Sequence, residues 1–129
     1  MHKLHQANQT GEKSVTIWGT GAPTREFIFV DDLAEACLLL MERYDEDAPI
    51  NIGTSESLSI AELAERIKAL TGFSGTLDYD TFRPDGMMRK ELDSTRLLAM
   101  GWTPSHTFDQ ALETTYDWHL SQQNHSAGA

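Results

Sequence analysis

The clearest amphipathic pattern of the chain lies between residues 59 and 72. Four apolar residues recur at helical spacing down one face, and charged residues occupy the other. The apolar set is Ile60, Leu63, Ile67 and Leu70. Ser59 followed by Glu62 forms a capping box, and Gly72 supplies a C-terminal stop. The pattern predicts a surface helix between these two signals.

Other helical patterns lie at both ends of the chain. A second capping box, formed by Thr107 and Gln110, starts the last predicted helix, which runs towards Leu120. Residues 1–11 predict a short helix, and residues 93–100 predict another.

Residues 33–44 are apolar around nearly the whole circumference of a helix. Such a helix needs packing partners on most sides, so we expect it to be covered. Asp31 or Asp32 is predicted to cap its first turn. The single cysteine, Cys37, falls in this pattern and is expected to be a small buried apolar side chain, since no neighbouring cation would favour a reactive thiolate.

Short β-strands are predicted where β-branched and aromatic residues lie between turn residues. These runs are residues 15–17, 27–30, 50–53 and 76–79. Helices and short strands in this arrangement predict a mixed α/β fold. No repeat or linker divides the 129 residues, so one domain is expected.

Charge and cysteine content limit the partners. Twenty acidic residues against ten Lys and Arg give a net charge of −10, which disfavours nucleic acid and anionic membranes as partners. One cysteine cannot form an internal disulfide, which favours a cytoplasmic location. No apolar run approaches the roughly 20 residues that cross a bilayer. The five histidines match no zinc-site spacing and are expected to lie on the surface, so no metal is predicted. No catalytic triad or acid pair can be assembled.

A glycine loop between two apolar runs carries the first candidate chemistry. It joins Trp18 to Arg25 through Gly19 and Gly21. An indole plate beside a guanidinium suits a planar, anionic ligand. The alternative is a core tryptophan beside a surface ion pair. The loop lacks the third glycine and the helix start of a dinucleotide fingerprint, so it is a poor phosphate cradle.

A second loop concentrates cations around one carboxylate. It contains Arg83, Asp85, Arg89 and Lys90. Two or three cations could neutralise a diphosphate while the carboxylate accepts hydrogen bonds from sugar hydroxyls. The alternative is a solvated turn with scattered charges.

The order and spacing of these segments resemble GDP-L-fucose synthases, extended short-chain dehydrogenase/reductases of the NAD-dependent epimerase/dehydratase family. The most specific string is Trp-Gly-x-Gly-x-Pro-x-Arg-Glu-Phe, with Pro-Asp-Gly downstream. The resemblance runs from about Lys3 to Leu120. It is carried by residues 15–32, 50–53, 84–86, 89–90 and 92–93.

The resemblance implies a substrate-binding role. Enzymes of this family convert GDP-4-keto-6-deoxy-mannose to GDP-L-fucose by epimerisation and NADPH-dependent reduction. By resemblance, four residues bind the nucleotide sugar, and two more are weaker candidates: Lys3, Trp18, Arg25 and Asp85, then Arg89 and Lys90. The glycine fingerprint and Tyr-x-x-x-Lys motif of the family are not found here. We therefore expect no catalytic residue and no cofactor bound by this chain alone.

The same resemblance implies boundaries and partners. Residues 1–120 are expected to form the substrate-binding part, without the Rossmann half, and residues 121–129 a flexible tail. Apolar faces left uncovered would favour a homo-oligomer or association with the missing half. Two rival functions stay open, a non-catalytic oligomer or adaptor, and a fragment of a related epimerase for another nucleotide sugar.

Overall fold

A computed structural model describes residues 1–126 as ten short elements. The helices are α1 (His2–Thr10), α2 (Val30–Arg43), α3 (Ile60–Thr71), α4 (Thr95–Ala99) and α5 (Phe108–Ser126). The strands are β1 (Ser14–Trp18), β2 (Thr24–Glu26), β3 (Ser57–Ser59), β4 (Thr76–Asp80) and β5 (Arg89–Lys90). The predicted mixed α/β class is confirmed.

The strands form two small sheets. Strand β1 pairs in parallel with β4, in a register that ends with Trp18 opposite Asp80. The second sheet has the order β3-β2-β5, with β2 antiparallel to β3 and parallel to β5. Strands β1 and β4 belong to the first sheet, and β2 and β5 belong to the second. The β1–β2 loop and the β4–β5 loop therefore both connect the two sheets.

Two apolar clusters hold these elements together. The first packs α1, β1 and α3 through Leu4, Ala7, Val15, Ile67 and Phe73. The second joins α2 to α4 and the following segment through Ala36, Leu97 and Trp102. Each of these side chains is at most 8% exposed, so both clusters exclude water and favour folding.

Both predicted capping boxes are present. Ser59 Oγ accepts a hydrogen bond from the Glu62 amide at 3.1 Å, and the Glu62 carboxylate accepts one from the Ser59 amide at 2.8 Å. Thr107 and Gln110 make the equivalent pair at the start of α5. Gly72 ends α3 in the left-handed conformation, as predicted.

Two strand predictions are wrong. The strand predicted at residues 27–30 lies at Thr24–Glu26, because these residues pair with both β3 and β5. No strand forms at residues 50–53. Its isoleucines pack against the second apolar cluster instead. Gly53 lies so close to Glu26 that an added Cβ would be 2.5 Å from Glu26 Oε1, so this segment is fixed by side-chain contacts rather than by a strand partner.

The predicted side-chain cap and all-round burial of α2 are wrong, whereas the uncovered apolar face that the family resemblance implied is present. The helix begins at Val30, and no side chain caps its first turn. Asp32 is instead buried and accepts a hydrogen bond from the Ser105 amide at 3.1 Å. One side of α2 is exposed, with Val30 67%, Leu38 61% and Met41 83% accessible, and Cys37 is exposed as well. Only the opposite side of the helix has packing partners within the described residues.

Helix α5 continues past the predicted start of the tail, through Ser126. The remainder of that predicted tail, residues 127–129, lies outside the described residues.

Not all histidines are on the surface, since His5 is buried and its Nδ1 lies 2.7 Å from Tyr116 Oη. Within residues 1–126 we find no three-residue cluster of His, Cys, Asp or Glu placed to hold a metal. Nor is any helix in that range long and apolar enough to cross a membrane.

Candidate functional site

Trp18 closes β1 and projects an exposed indole. Its side chain is 65% accessible, which excludes the alternative of a core tryptophan. Two cations lie over the ring: Lys3 Nζ at 5.5 Å from the ring centroid and Arg83 Cζ at 4.9 Å. Both distances fall within the range of cation–π attraction. The exposed aromatic ring predicted from the sequence is therefore present, and Lys3 lies beside it.

The glycine loop after Trp18 is anchored to the start of α3. Gly21 and Pro23 carbonyl oxygens accept hydrogen bonds from the Ala61 and Ile60 amides at 2.9 and 3.0 Å. The first amides of a helix have no partner inside the helix, so the loop satisfies two of them. This anchoring fixes the backbone that leads from Trp18 to β2.

Asp85 joins the two loops of the site. Its Oδ1 accepts a hydrogen bond from the Thr20 amide at 2.9 Å, and its Oδ2 accepts one from Thr20 Oγ1 at 2.6 Å. These two bonds hold the pKa of the Asp85 carboxyl below its ordinary value of 3.8. Residues 65 positions apart in sequence are thus brought into one surface.

The Asp85 carboxylate lies against Gly19 in the loop between β1 and β2. A Cβ built on Gly19 would overlap Asp85 Oδ1. The Gly19 and Thr20 amides already donate to Asp80 and Asp85, and the loop continues into β2 instead of a helix. The residues present therefore do not fit the pyrophosphate of a nicotinamide cofactor.

Arg25 and Lys90 lie side by side on adjacent strands. They are partners in the parallel register of β2 and β5, so their Cα atoms are about 5 Å apart. Arg25 Nη1 donates to the Thr24 carbonyl oxygen at 2.6 Å, while its Nη2 would be 3.5 Å from a Cβ added at Gly86. The guanidinium therefore points to the loop that carries Asp85.

Arg89 is engaged elsewhere. Its Nη2 donates to Glu91 Oε2 at 2.5 Å, and this bond raises the pKa of the Arg89 guanidinium above its ordinary value. Its Nη2 is therefore already engaged with a carboxylate, and Arg89 remains, with Lys90, one of the two weaker candidates. Arg83, another cation of the loop that carries Asp85, lies over the Trp18 ring.

A second concave surface lies between the start of α2 and α5. Its volume is about 1030 Å³, and its lining includes Phe29, Leu58, Leu63, His106, Phe108 and Leu112. His106 Nδ1 lies 2.7 Å from Asp32 Oδ1, and Asp32 is 2% exposed. This hydrogen bond raises the pKa of His106. The pair ties the segment before α5 to α2.

Comparison with known proteins gives two kinds of match. Residues 1–53 match the NAD dependent epimerase/dehydratase family. GDP-L-fucose synthase 1 of Arabidopsis thaliana is 46% identical over 120 residues, which are 93% of this chain and 37% of that protein. GDP-L-fucose synthase of Escherichia coli is 36% identical, over 99% of this chain and 43% of that protein.

The fold is also similar to a solved enzyme. A GDP-L-fucose synthetase from Naegleria fowleri, in a structure bound to NADP, superposes with a TM-score of 0.87 at 32% identity. The match covers 95% of this chain and 39% of that one. The chain thus spans 37% of the length of the Arabidopsis relative and 39% of the Naegleria enzyme. The resemblance predicted from the sequence is therefore confirmed: this chain is similar, over nearly all its length, to GDP-L-fucose synthases, and residues 1–53 match the NAD dependent epimerase/dehydratase family.

Proposed function

We propose that this chain is the substrate-binding part of a GDP-L-fucose-synthase-like enzyme and binds a GDP-sugar at the surface around Trp18. One observation carries the proposal. An exposed indole flanked by Lys3 and Arg83 ends β1, and the loop that follows it towards Arg25 is hydrogen-bonded through Thr20 to Asp85. The similarity to named GDP-L-fucose synthases supports a guanine nucleotide as the ligand.

Each proposed role follows from side-chain chemistry. The indole of Trp18 stacks against the base, as exposed aromatic rings do with planar groups. Arg25 and Lys90 neutralise the diphosphate from adjacent strands, with Lys3 as a further cation near Trp18. Asp85 fixes the loop, and because a carboxylate has about four acceptor sites, it retains capacity for a sugar hydroxyl.

The proposed chemistry belongs to a longer protein. By resemblance, that protein converts GDP-4-keto-6-deoxy-mannose to GDP-L-fucose by epimerisation and reduction. A nicotinamide cofactor would supply the hydride, and the Naegleria relative is described as bound to NADP. This chain's own residues bind and orient the sugar nucleotide, and they do not catalyse the reaction alone.

The exposed face of α2 supports a further proposal about partners. Its apolar row consists of Val30, Leu33, Ala34, Cys37, Leu38 and Met41. Burial of about 400 Å² of such a row contributes on the order of 10 kcal/mol before the costs of association. We propose that it is covered by the remaining part of a family enzyme or, in this chain alone, by a second copy. The accessible Cys37 thiol is compatible with a reducing cytoplasm.

Calorimetric titration with GDP and GDP-L-fucose tests the ligand. We expect weak binding to both, loss of binding in Arg25→Ala, and no binding of NADPH. Arg43→Ala is the matched control, because it removes the same charge from the end of α2. If neither guanine nucleotide gives heat with the wild-type chain, the proposed site is wrong.

A panel of nucleotide sugars separates the rival functions. Binding of a uridine or thymidine sugar in place of GDP ligands would favour a related epimerase. Binding of none, together with a defined oligomer, would favour a non-catalytic structural role.

A further inference from the structure

Three histidines meet where α1 contacts the second half of α5. The ring centroids of His2 and His5, both on α1, each lie 5.7 Å from that of His119 on α5. Tyr116, one turn before His119, lies with its Oη 2.7 Å from His5 Nδ1. We call His2, His5 and His119 the histidine cluster. Because these rings belong to two helices, their charge affects how the helices pack.

The surroundings of the histidine cluster favour uncharged rings. The chain has twenty acidic residues, yet the described residues that line the hollow between α1 and α5 are the cluster itself, four glutamines and Trp118. A carboxylate stabilises a protonated imidazole, as Asp32 does for His106, whereas a neighbouring cation destabilises it. The hollow supplies no carboxylate from the described residues.

The hydrogen bonds of the cluster also suit neutral imidazoles. Gln123 Nε2 lies 3.0 Å from His119 Nε2. An amide nitrogen can only donate, so this ring nitrogen accepts and carries no proton. His5 is 7% exposed, and its Nε2 has no hydrogen-bond partner among the described residues. A proton added to His119 Nε2 removes the acceptor of Gln123 and places a charge beside two further imidazoles.

We propose that mildly acidic pH releases the second half of α5 from α1 through protonation of the histidine cluster. Burial lowers the pKa of His119 below its ordinary 6.5, and so do the neighbouring positive charges of His5, His2 and the Met1 amino group. A released His119 therefore takes up a proton more readily than a packed one. The contact is fully stable above pH 6.5 and weakens as the pH falls below that value. The proposal is independent of the GDP-sugar site.

Hydrogen exchange measured by mass spectrometry tests the release directly, in the full chain and without a ligand. Protection of residues 113–123 is compared at about pH 7.5 and about pH 5.5, after correction for the intrinsic exchange rates. Uptake of one proton on opening lowers the ratio of closed to open forms by up to about tenfold over this range. We expect protection to fall about threefold to tenfold in this segment, while α3 serves as the internal reference and keeps its protection.

Two variants of His119 separate protonation from packing. His119→Phe keeps a ring of similar size and His119→Asn keeps a polar group, and neither can take up a proton in this range. We expect both to lose the pH dependence of protection in residues 113–123. His106→Asn is the matched control, because His106 lies before α5 and pairs with Asp32. It should keep the full pH dependence.

NMR titration of the histidine ring protons gives a readout that packing alone does not move. The midpoint of His119 should lie below 6.5 in the wild type and rise in His2→Asn, which removes one of the neighbouring charges. A midpoint above 6.5 would overturn the proposal. Equal protection of residues 113–123 at the two pH values in the wild type would also overturn it, as would a pH dependence that persists in both His119 variants.

Discussion

Substitution of Gly19 by alanine perturbs the contact between the two loops of the site. Gly19 has φ +82°, a conformation that L-residues with a side chain rarely adopt. A Cβ at this position would overlap Asp85 Oδ1 and lie 3.4 Å from Asp85 Cγ. The carboxylate would have to move away from Thr20, to which both its oxygens are bonded. The substitution therefore combines backbone strain with loss of the contact between loops.

The backbone part of the effect can be estimated separately. A left-handed conformation costs an alanine about 1–2 kcal/mol relative to glycine. For a chain of this size, that cost lowers the melting temperature by about 3–10 °C. Displacement of Asp85 adds to this, so Gly19→Ala should melt below the value set by backbone strain alone.

Gly101→Ala is the control for backbone strain. Gly101 has φ +88°, and a Cβ added there would meet nothing within 4 Å. Thermal unfolding followed by circular dichroism should show a larger decrease in melting temperature for Gly19→Ala than for Gly101→Ala. In an Asp85→Ala background, the effect of Gly19→Ala should shrink to that of Gly101→Ala. Equal melting temperatures for the two single alanine variants would refute the reasoning.

Two further predictions concern the His106–Asp32 pair and the exposed row of α2. The pKa of His106 is raised above its ordinary 6.5 by Asp32. Stability from this pair is therefore fully present below pH 6.5 and is lost as pH rises through the higher folded value. We expect the melting temperature of the wild type to fall, relative to His106→Asn, as the pH rises above 6.5; parallel curves would contradict this. For α2, size-exclusion chromatography with light scattering should show self-association that Leu38→Glu with Met41→Glu abolishes, while Arg43→Glu keeps it; a wild-type monomer at high concentration would contradict this.

Local signals in the sequence predicted the helices well. The capping boxes at Ser59 and Thr107 depend on residues three positions apart, so a short window contains all that is needed. The short strands are different, because β2 has three residues and exists only through pairing with β3 and β5. Asp32 shows the same limit. It has the sequence position of a cap, yet its hydrogen-bond partner His106 is 74 residues away.

The candidate site could also be predicted only in part, because some of its contacts join residues that are far apart in sequence. The residue types at Trp18 and Arg25 suit stacking and anion binding, but they left open a core tryptophan beside a surface ion pair, which the 65% exposure of Trp18 excludes. The bond from Asp85 to Thr20, and the placement of Arg83 over the Trp18 ring, depend on loop packing across 65 residues. The exposure of Cys37 likewise depends on which side of α2 finds a partner, which helical periodicity alone does not determine.

The proposed site joins two loops that only folding brings together, as the bond between Asp85 and Thr20 shows, so ligand binding there would be thermodynamically linked to folding. The β1–β2 loop and the β4–β5 segment each contribute only part of the proposed contacts, and α2 and α3 lie between them in sequence. An unfolded chain therefore has no binding surface, and a ligand bound to the folded state stabilises it by mass action. A ligand at one hundred times its dissociation constant would add about 2.7 kcal/mol to the free energy of unfolding. Nucleotide-dependent melting temperatures would then report how completely the two segments have been brought together.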